Sequence, residues 1–198
     1  VAKQVAYVPQ RHERTFPYTV ADIVLMGRAA NIGMFASPTQ ADRQIVEDAL
    51  ARIGILQLKE RRYTQISGGE GQMVMIARAL AQKTPLMIMD EPTAHLDFRH
   101  ELLNLETIVD LIKETGLSVL MASHYPNQAF YFENSGITPR LALMKDSHLL
   151  AVGSPSKVIT PKNLDLVYAV KAQVVTSSLD NGRHLKQVIP LSTRKRED

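Results

Sequence analysis

The 198-residue sequence contains no cysteine, which excludes disulfides, thiolate metal sites and a thiol nucleophile, and fits a reducing compartment. No apolar stretch approaches the roughly eighteen residues needed to cross a bilayer, and the N-terminus lacks the basic and apolar regions of a signal peptide. Internal repeats and low-complexity linkers are also missing. An excess of one charge sign is lacking too: 23 Lys and Arg against 20 Asp and Glu leave a formal charge of +3. These charges are scattered except for Arg194-Lys195-Arg196 at the extreme C-terminus, so no nucleic-acid partner is expected. None of the ten glycines belongs to a G-x-x-x-x-G-K-[ST] phosphate loop. What the chain does have is 45% hydrophobic residues, enough for a real core in one domain of ordinary size or a domain with a small appendage.

The hydrophobic pattern lays out an α/β chain. Val5 to Val8, followed by Pro9, reads as a short strand ending at Gln10, and Arg11 to Thr15 read as a loop. Val20, Ile23, Val24 and Gly27 carry helical spacing. Ser37-Pro38 offers an N-cap and first-turn proline for a helix whose apolar face is Ile45, Val46, Ala49, Leu50 and Ile53, ended by Gly54. Met73, Ile76, Ala77 and Leu80 form a further face, so residues 19–82 are expected to be mostly helical. Leu86 to Met89 then make a continuous apolar run, as expected of a strand buried on both faces of a parallel sheet. Leu102, Leu105, Val109 and Ile112 give a crossover helix closed by Gly116, and Leu117 to Ala122 the next strand. Farther on, Leu141 to Met144 and Leu149 to Val152 predict a hairpin around Lys145-Asp146-Ser147-His148. Short helices open at Ser154-Pro155 and Thr160-Pro161, and Val174-Val175 and Gln187 to Leu191 predict a last hairpin around Asn181-Gly182.

The residues with chemistry fall at the ends of these elements. A hidden strand ending in Asp90-Glu91 delivers two carboxylates to the carboxyl edge of a parallel sheet, where α/β folds place ligands. Adjacent strand residues point opposite ways, so the two are expected to divide the work: Asp90 acting on Mg²⁺ through a coordinated water, Glu91 polarising an attacking water. Ser67-Gly68-Gly69 immediately precede an amphipathic helix, where orphan N–H groups and the helix dipole converge on a spot suited to an anion. His124 after a strand can hydrogen-bond a phosphate, and Gln10 after another can serve Mg²⁺ or the water. Each alone admits a plain structural reading: a solvated turn before Pro92, a Ser N-cap, an ordinary polar residue.

Their order and separation carry a resemblance. From Gln10 onward the chain resembles the nucleotide-binding subunit of ABC transporters: Gln10 falls on the Q-loop, Ile66 to Gln72 on the family signature, Leu86 to Glu91 on Walker B, Thr93 to Asp97 on the D-loop and His124 on the switch histidine. Val24-Leu25-Met26-Gly27-Arg28, Leu96-Asp97-Phe98, and Gly153-Ser154-Pro155 leading to Leu164 and Tyr168 are similar to the importer branch for iron-siderophores, haem and cobalamin. The sequence departs from the pattern at Gly71, where Arg or Gln is common, at Met73, at Asp146-Ser147 in place of Asp-Gly, and in the missing phosphate loop. Gly71 costs the signature helix about 1 kcal/mol of propensity relative to Ala.

The resemblance implies a partial P-loop NTPase fold of the ABC ATPase type, with a parallel core sheet, a helical subdomain over about 19–82 and a small C-terminal α+β extension. Residues 1–136 would form the nucleotide-binding domain without Walker A, and 137–198 the extension. It implies ATP and Mg²⁺ as ligands. Glu91, His124 and Gln10 would be catalytic, Asp90 and Gln10 metal-directed, and Ser67, Gly68, Gly69, Glu70, Gln72 and Asp97 nucleotide-directed. Two subunits would pair head to tail, with Ser67 to Gly69 serving the partner's nucleotide. Integral-membrane permease subunits would dock on the surface around Arg11 to Phe35, a solute-binding protein would act indirectly, and the subunit would sit peripherally on the cytoplasmic face of the cell membrane. The chain, which begins with Val1, not Met, and reaches the Val5 to Val8 strand at once, is expected to be the C-terminal portion of such an ATPase and to be inactive without a phosphate loop. Two other readings stay open: a non-transport ABC ATPase and a catalytically inactive interaction module.

Overall fold

Three short apolar segments far apart in sequence pair into one sheet. In the computed structural model, which describes residues 1–10, 15–33, 35–180 and 182–193, β1 (Val5–Val8), β2 (Leu86–Asp90) and β3 (Ser118–Ala122) are parallel in the order β1-β2-β3. Val8 pairs with Met89 and Met89 with Met121, while Asp90 pairs with Ala122 at the carboxyl edge. The pleat sends Ala6, Val8, Met87 and Met89 to one face, where all four are buried. The opposite face carries Tyr7, 51% exposed, and Leu120, 59% exposed. The expectation of a strand hidden on both faces is corrected accordingly: β2 alternates, with Leu86 and Ile88 only partly covered. A run of four apolar residues has no period from which one-sided and two-sided burial could be told apart.

The covered face lies under helices. α1 (Val20–Leu25) runs into a 3₁₀ turn at Met26–Arg28, α2 spans Gln40–Arg52, α3 Gly68–Ala81 and α4 Phe98–Thr115. α2 starts later than Ser37-Pro38 suggests, since Thr39 is the N-cap: its hydroxyl accepts from Asp42 N–H and Asp42 Oδ2 accepts from Thr39 N–H. This reciprocal pair satisfies two end donors at once, which proline before the cap cannot do. Asp42 also accepts from Arg28 Nε at 3.1 Å, and Arg28 Nη1 donates to Ala81 O at 2.9 Å. A buried guanidinium thereby ties α1, α2 and the end of α3 together. Gly27 allows this approach, because a Cβ there would stand 2.2 Å from the Arg78 carbonyl oxygen. α3 is covered on nearly all sides, from Gly69 to Ala81, which explains why its sequence is apolar beyond a single stripe.

The chain divides into two compact units, Val1–Ser123 and His124–Asp198, whereas the sequence reading sets its division after residue 136. The difference is a helix that the sequence reading leaves unassigned, α5 (Pro126–Asn134). Within the second unit, β4 (Leu141–Lys145) pairs antiparallel with β5 (His148–Gly153), α6 (Pro155–Val158) and α7 (Pro161–Tyr168) follow, and β6 (Val170–Ser178) pairs with β7 (His184–Thr193). Phe130 of α5 joins Ile159, Leu164 and Ala172 in the core of this unit. Asn127 brackets β7, donating from Nδ2 to Val188 O and accepting Val188 N–H at Oδ1, so α5 and the last hairpin are held by packing and hydrogen bonds alike. The β4–β5 turn works without glycine because Asp146 and Ser147 both take positive φ, 49° and 63°. Asn181 of the last turn and Arg194-Lys195-Arg196 lie outside the described residues. Among the described residues no helix is long and apolar enough to cross a membrane.

Candidate functional site

The carboxyl edge of the sheet gathers side chains from two neighbouring strands. β1 and β2 end side by side, so Gln10, two residues beyond Val8, comes level with Glu91, one beyond Asp90. Gln10 Nε2 donates to Glu91 Oε2 at 2.8 Å. Tyr7 Oη donates to Asp90 Oδ2 at 3.4 Å, as the pleat requires: Tyr7 pairs with Ile88, and Asp90 lies two residues on, along the same face. Glu91 has left the strand. Its φ is +44°, a conformation seldom taken by a residue with a side chain, and two backbone bonds hold it there: Glu91 N–H to Ala122 O and Ala94 N–H to Glu91 O, each 3.0 Å. The divergence of Asp90 and Glu91 is therefore set by this turn, not by strand alternation as the sequence reading supposes. Tyr7 was not singled out from sequence, although its parity with Asp90 is readable once the register is known.

The turn after Glu91 leads to Asp97, the N-cap of α4. Asp97 Oδ1 accepts His100 N–H at 2.9 Å and Oδ2 meets His100 Nδ1 at 2.7 Å. Hydrogen bonds from the His100 backbone and then its ring hold the Asp97 carboxyl below the usual carboxylate range. The His100 ring lies against the signature turn, for a Cβ on Gly69 would be 2.2 Å from His100 Cδ2. His100 thus joins Asp97 to Gly69, a connection that the sequence reading missed; the spacing of three from an N-cap aspartate was the available signal.

Ser67 caps α3 as expected, and does so with Glu70 in a reciprocal box: Glu70 N–H donates to Ser67 Oγ at 3.2 Å, and Ser67 N–H to Glu70 Oε2 at 2.8 Å. The Ser67 N–H is the main cause of the depressed Glu70 carboxyl pKa. Two of the end donors are therefore occupied inside the turn. Gln72 is 5% exposed, and its Nε2 has no hydrogen-bond partner among the described residues. His124 opens the second unit, its ring packed on Tyr125 with centroids 4.0 Å apart. The structure brings Tyr7, Gln10, Asp90 and Glu91 into one cluster, and Ser67, Gly69, Glu70, Asp97 and His100 into another.

No group of three or more His, Asp or Glu side chains able to hold a metal exists among the described residues. Asp90 and Gln10 bring one carboxylate and one amide oxygen to the carboxyl edge of the sheet, which is short of the roughly six to eight protein oxygens of a caged hard cation.

Residues 1–94 match the family model described as ABC transporter. The hemin import ATP-binding protein HmuV of Bordetella pertussis is 37% identical, covering 93% of this chain and 71% of that protein. A Helicobacter pylori protein named as an iron chelatin transport ATP-binding protein is 34% identical, covering 88% of this chain and 66% of that one. Among solved structures, an ABC transporter of metal-chelate type in an inward-facing conformation superposes with a TM-score of 0.88 at 30% identity, over 95% of this chain and 72% of that chain. The chain spans about two thirds of the length of curated relatives that it matches, 66% and 64% in two Haemophilus influenzae examples. With its parallel sheet ending in Asp90-Glu91, its signature turn and these relatives, the chain belongs to the ABC transporter ATP-binding family.

Proposed function

We propose that this chain is part of the ATP-hydrolysing subunit of an importer for iron-siderophores, haem or cobalamin. The single observation that carries the catalytic part is the 2.8 Å hydrogen bond between Gln10 and Glu91 at the carboxyl edge of the parallel sheet. The importer branch is supported by the names of the relatives, one for hemin and one for iron chelatin, and by the metal-chelate type of the structural neighbour.

The reaction is transfer of the γ-phosphoryl group of ATP to water, giving ADP and phosphate. Glu91 polarises the attacking water and takes up its proton, while the Gln10 amide fixes the orientation of the Glu91 carboxylate. Asp90, with Tyr7 beside it, would hold Mg²⁺ through water, and the ion would supply positive charge against the phosphoryl oxygens. The family resemblance gives His124 the role of the switch histidine. In a head-to-tail pair of subunits, Ser67, Gly68 and Gly69 at the tip of α3 face the partner's nucleotide, and Asp97 stands beside that boundary. Closure on ATP and opening after hydrolysis would move permease subunits, to which a solute-binding protein delivers cargo. Phe16, 64% exposed, and Phe35, 98% exposed, give the surface around residues 11–35 the large apolar side chains that such docking uses; residues 11–14 and 34 of that surface lie outside the described residues. The subunit would then be peripheral on the cytoplasmic face of the membrane.

The test uses the complete subunit with its permease. Glu91→Gln is expected to abolish ATP turnover and uptake while ATP still drives subunit pairing. Failure to co-fractionate with a permease, with ATPase activity intact, would instead favour a non-transport ABC ATPase.

A further inference from the structure

A helix N-cap needs one bond from its aspartate, and Asp97 makes two. Oδ1 accepts the His100 N–H at 2.9 Å, which is the capping bond itself, while Oδ2 meets ring Nδ1 of the same residue at 2.7 Å. An ionised carboxylate has no proton to give, so Nδ1 carries the proton and donates it, which fixes the ring. The His100 side chain is only 27% exposed, and it turns its carbon edge to the head of α3. A Cβ added to Gly69 would fall 2.2 Å from His100 Cδ2 and 2.4 Å from Cγ. The imidazole thus fills the space that any side chain at 69 would need. Gly69 does not take a positive φ, so the backbone conformation there does not itself call for glycine. The stem of the ring is held as well, since Asn104 Nδ2 donates to the His100 carbonyl at 3.1 Å.

We propose that His100 is a positioning residue that holds the Asp97 turn and the Ser67–Gly69 turn at one fixed separation, so that the two are presented to the partner subunit as a single surface. The inference rests on the reading of both turns as nucleotide-directed. It gives the ring two separable tasks: Nδ1–H anchors it on Asp97, and its carbon edge sets how closely the Gly69 backbone approaches α4. A side chain able to do only one of these leaves the turns free to adjust independently, and ordering them on engagement then lowers affinity. The capping bond and the Asn104 bond use the His100 backbone. Both survive replacement of the ring, so α4 keeps its start.

The experiment uses the complete subunit carrying His100→Phe, which keeps a ring without the donor, His100→Asn, which keeps a donor without the ring, and His100→Leu, which keeps neither. The readouts are steady-state ATPase kinetics, thermal melting, and the ATP concentration that half-saturates subunit pairing in a Glu91→Gln background. Each variant is expected to raise KM and the pairing midpoint by about three- to tenfold, the fold-change that one hydrogen bond supports. Turnover at saturation should stay within about twofold of wild type, because the ring touches no reacting atom. His100→Leu should be no worse than the poorer of the other two, since a link cut at either end is already lost. Unchanged KM and pairing midpoint in both His100→Phe and His100→Asn would overturn the proposal, as would losses that simply follow a fall in melting temperature. The contact itself is tested by Gly69→Ala, expected to lower melting beside His100 and to be tolerated beside His100→Ala; equal losses in the two backgrounds would also overturn it. Ser67→Ala separates the two levels of the argument. A raised pairing midpoint there with silent His100 variants defeats the inference alone, whereas a wild-type midpoint in Ser67→Ala defeats the reading of the turn and the inference with it.

Discussion

Gln10 donates its side-chain amide to the Glu91 carboxylate across 2.8 Å, joining the ends of two parallel strands that are 81 positions apart in the chain. The bond orients a carboxylate whose backbone is already pinned in a left-handed turn by Ala122 and Ala94. Preorganisation of this kind is what phosphoryl transfer demands, since positioning and charge supply nearly all of its catalysis.

Glu91→Gln keeps the size and one acceptor of the side chain but loses its basicity. Turnover in the complete subunit is expected to fall by about a hundredfold or more, the range of general-base contributions. Gln10→Leu removes only the orienting donor, so kcat should fall by about tenfold, the worth of a hydrogen bond to a charged group. Steady-state assays of both variants give the ranking, and equal losses would contradict it.

Gly27 sits where α1 meets the backbone of α3, with the Arg78 carbonyl oxygen 2.2 Å from the site of a Cβ. Gly27→Ala forces the two helices apart and disturbs the Arg28 bonds to Asp42 and Ala81. A loss of about 1–3 kcal/mol in unfolding free energy is expected, as for overpacked cores. Urea denaturation measures it, and a wild-type midpoint would show that the helices adjust freely.

Asp42, Glu70 and Asp97 all have carboxyl pKa values held below their ordinary values of 3.8, 4.5 and 3.8. Their largest causes are the Thr39 hydroxyl, the Ser67 N–H and the His100 N–H, respectively. In mild acid the unfolded chain therefore binds more protons than the folded one, so stability rises with pH there. The contribution is complete above the ordinary values and is lost as pH falls through the lower folded ones. Melting temperature plotted against pH should drop steeply below about pH 4.5. Glu70→Gln, which can still accept from Ser67, should flatten that slope.

The 198-residue chain by itself offers carboxylates and a capped helix tip but no G-x-x-x-x-G-K-[ST] loop. It is expected to bind MgATP weakly and to hydrolyse it negligibly, because its sequence lacks the loop that cradles the β- and γ-phosphates. Calorimetry that finds micromolar affinity for this chain would falsify the expectation.

Much of the fold was legible in advance where one local rule decides. The Ser67 cap follows from a serine three residues before a glutamate at the head of an apolar helix, and the end of α4 from Gly116, which takes φ +68°. β2 and β3 follow from apolar runs bounded by polar turns, and the β4–β5 hairpin from two such runs around Asp146-Ser147. α5 was not legible: Asn127 and Gln128 interrupt its apolar pattern, and what holds the helix is Val188 and Ile159, far along the chain.

By itself the sequence determined which chemistry is at hand: carboxylates at a strand end, amide donors at a helix tip, no thiol and no phosphate loop, each fixed by residue type and short-range spacing. Only the tertiary structure decided that Gln10 holds Glu91, that Tyr7 reaches Asp90, and that His100 rests on Gly69. Those relationships depend on strand register and helix packing, which are set by burial summed over the whole core and are written in no single stretch of the chain.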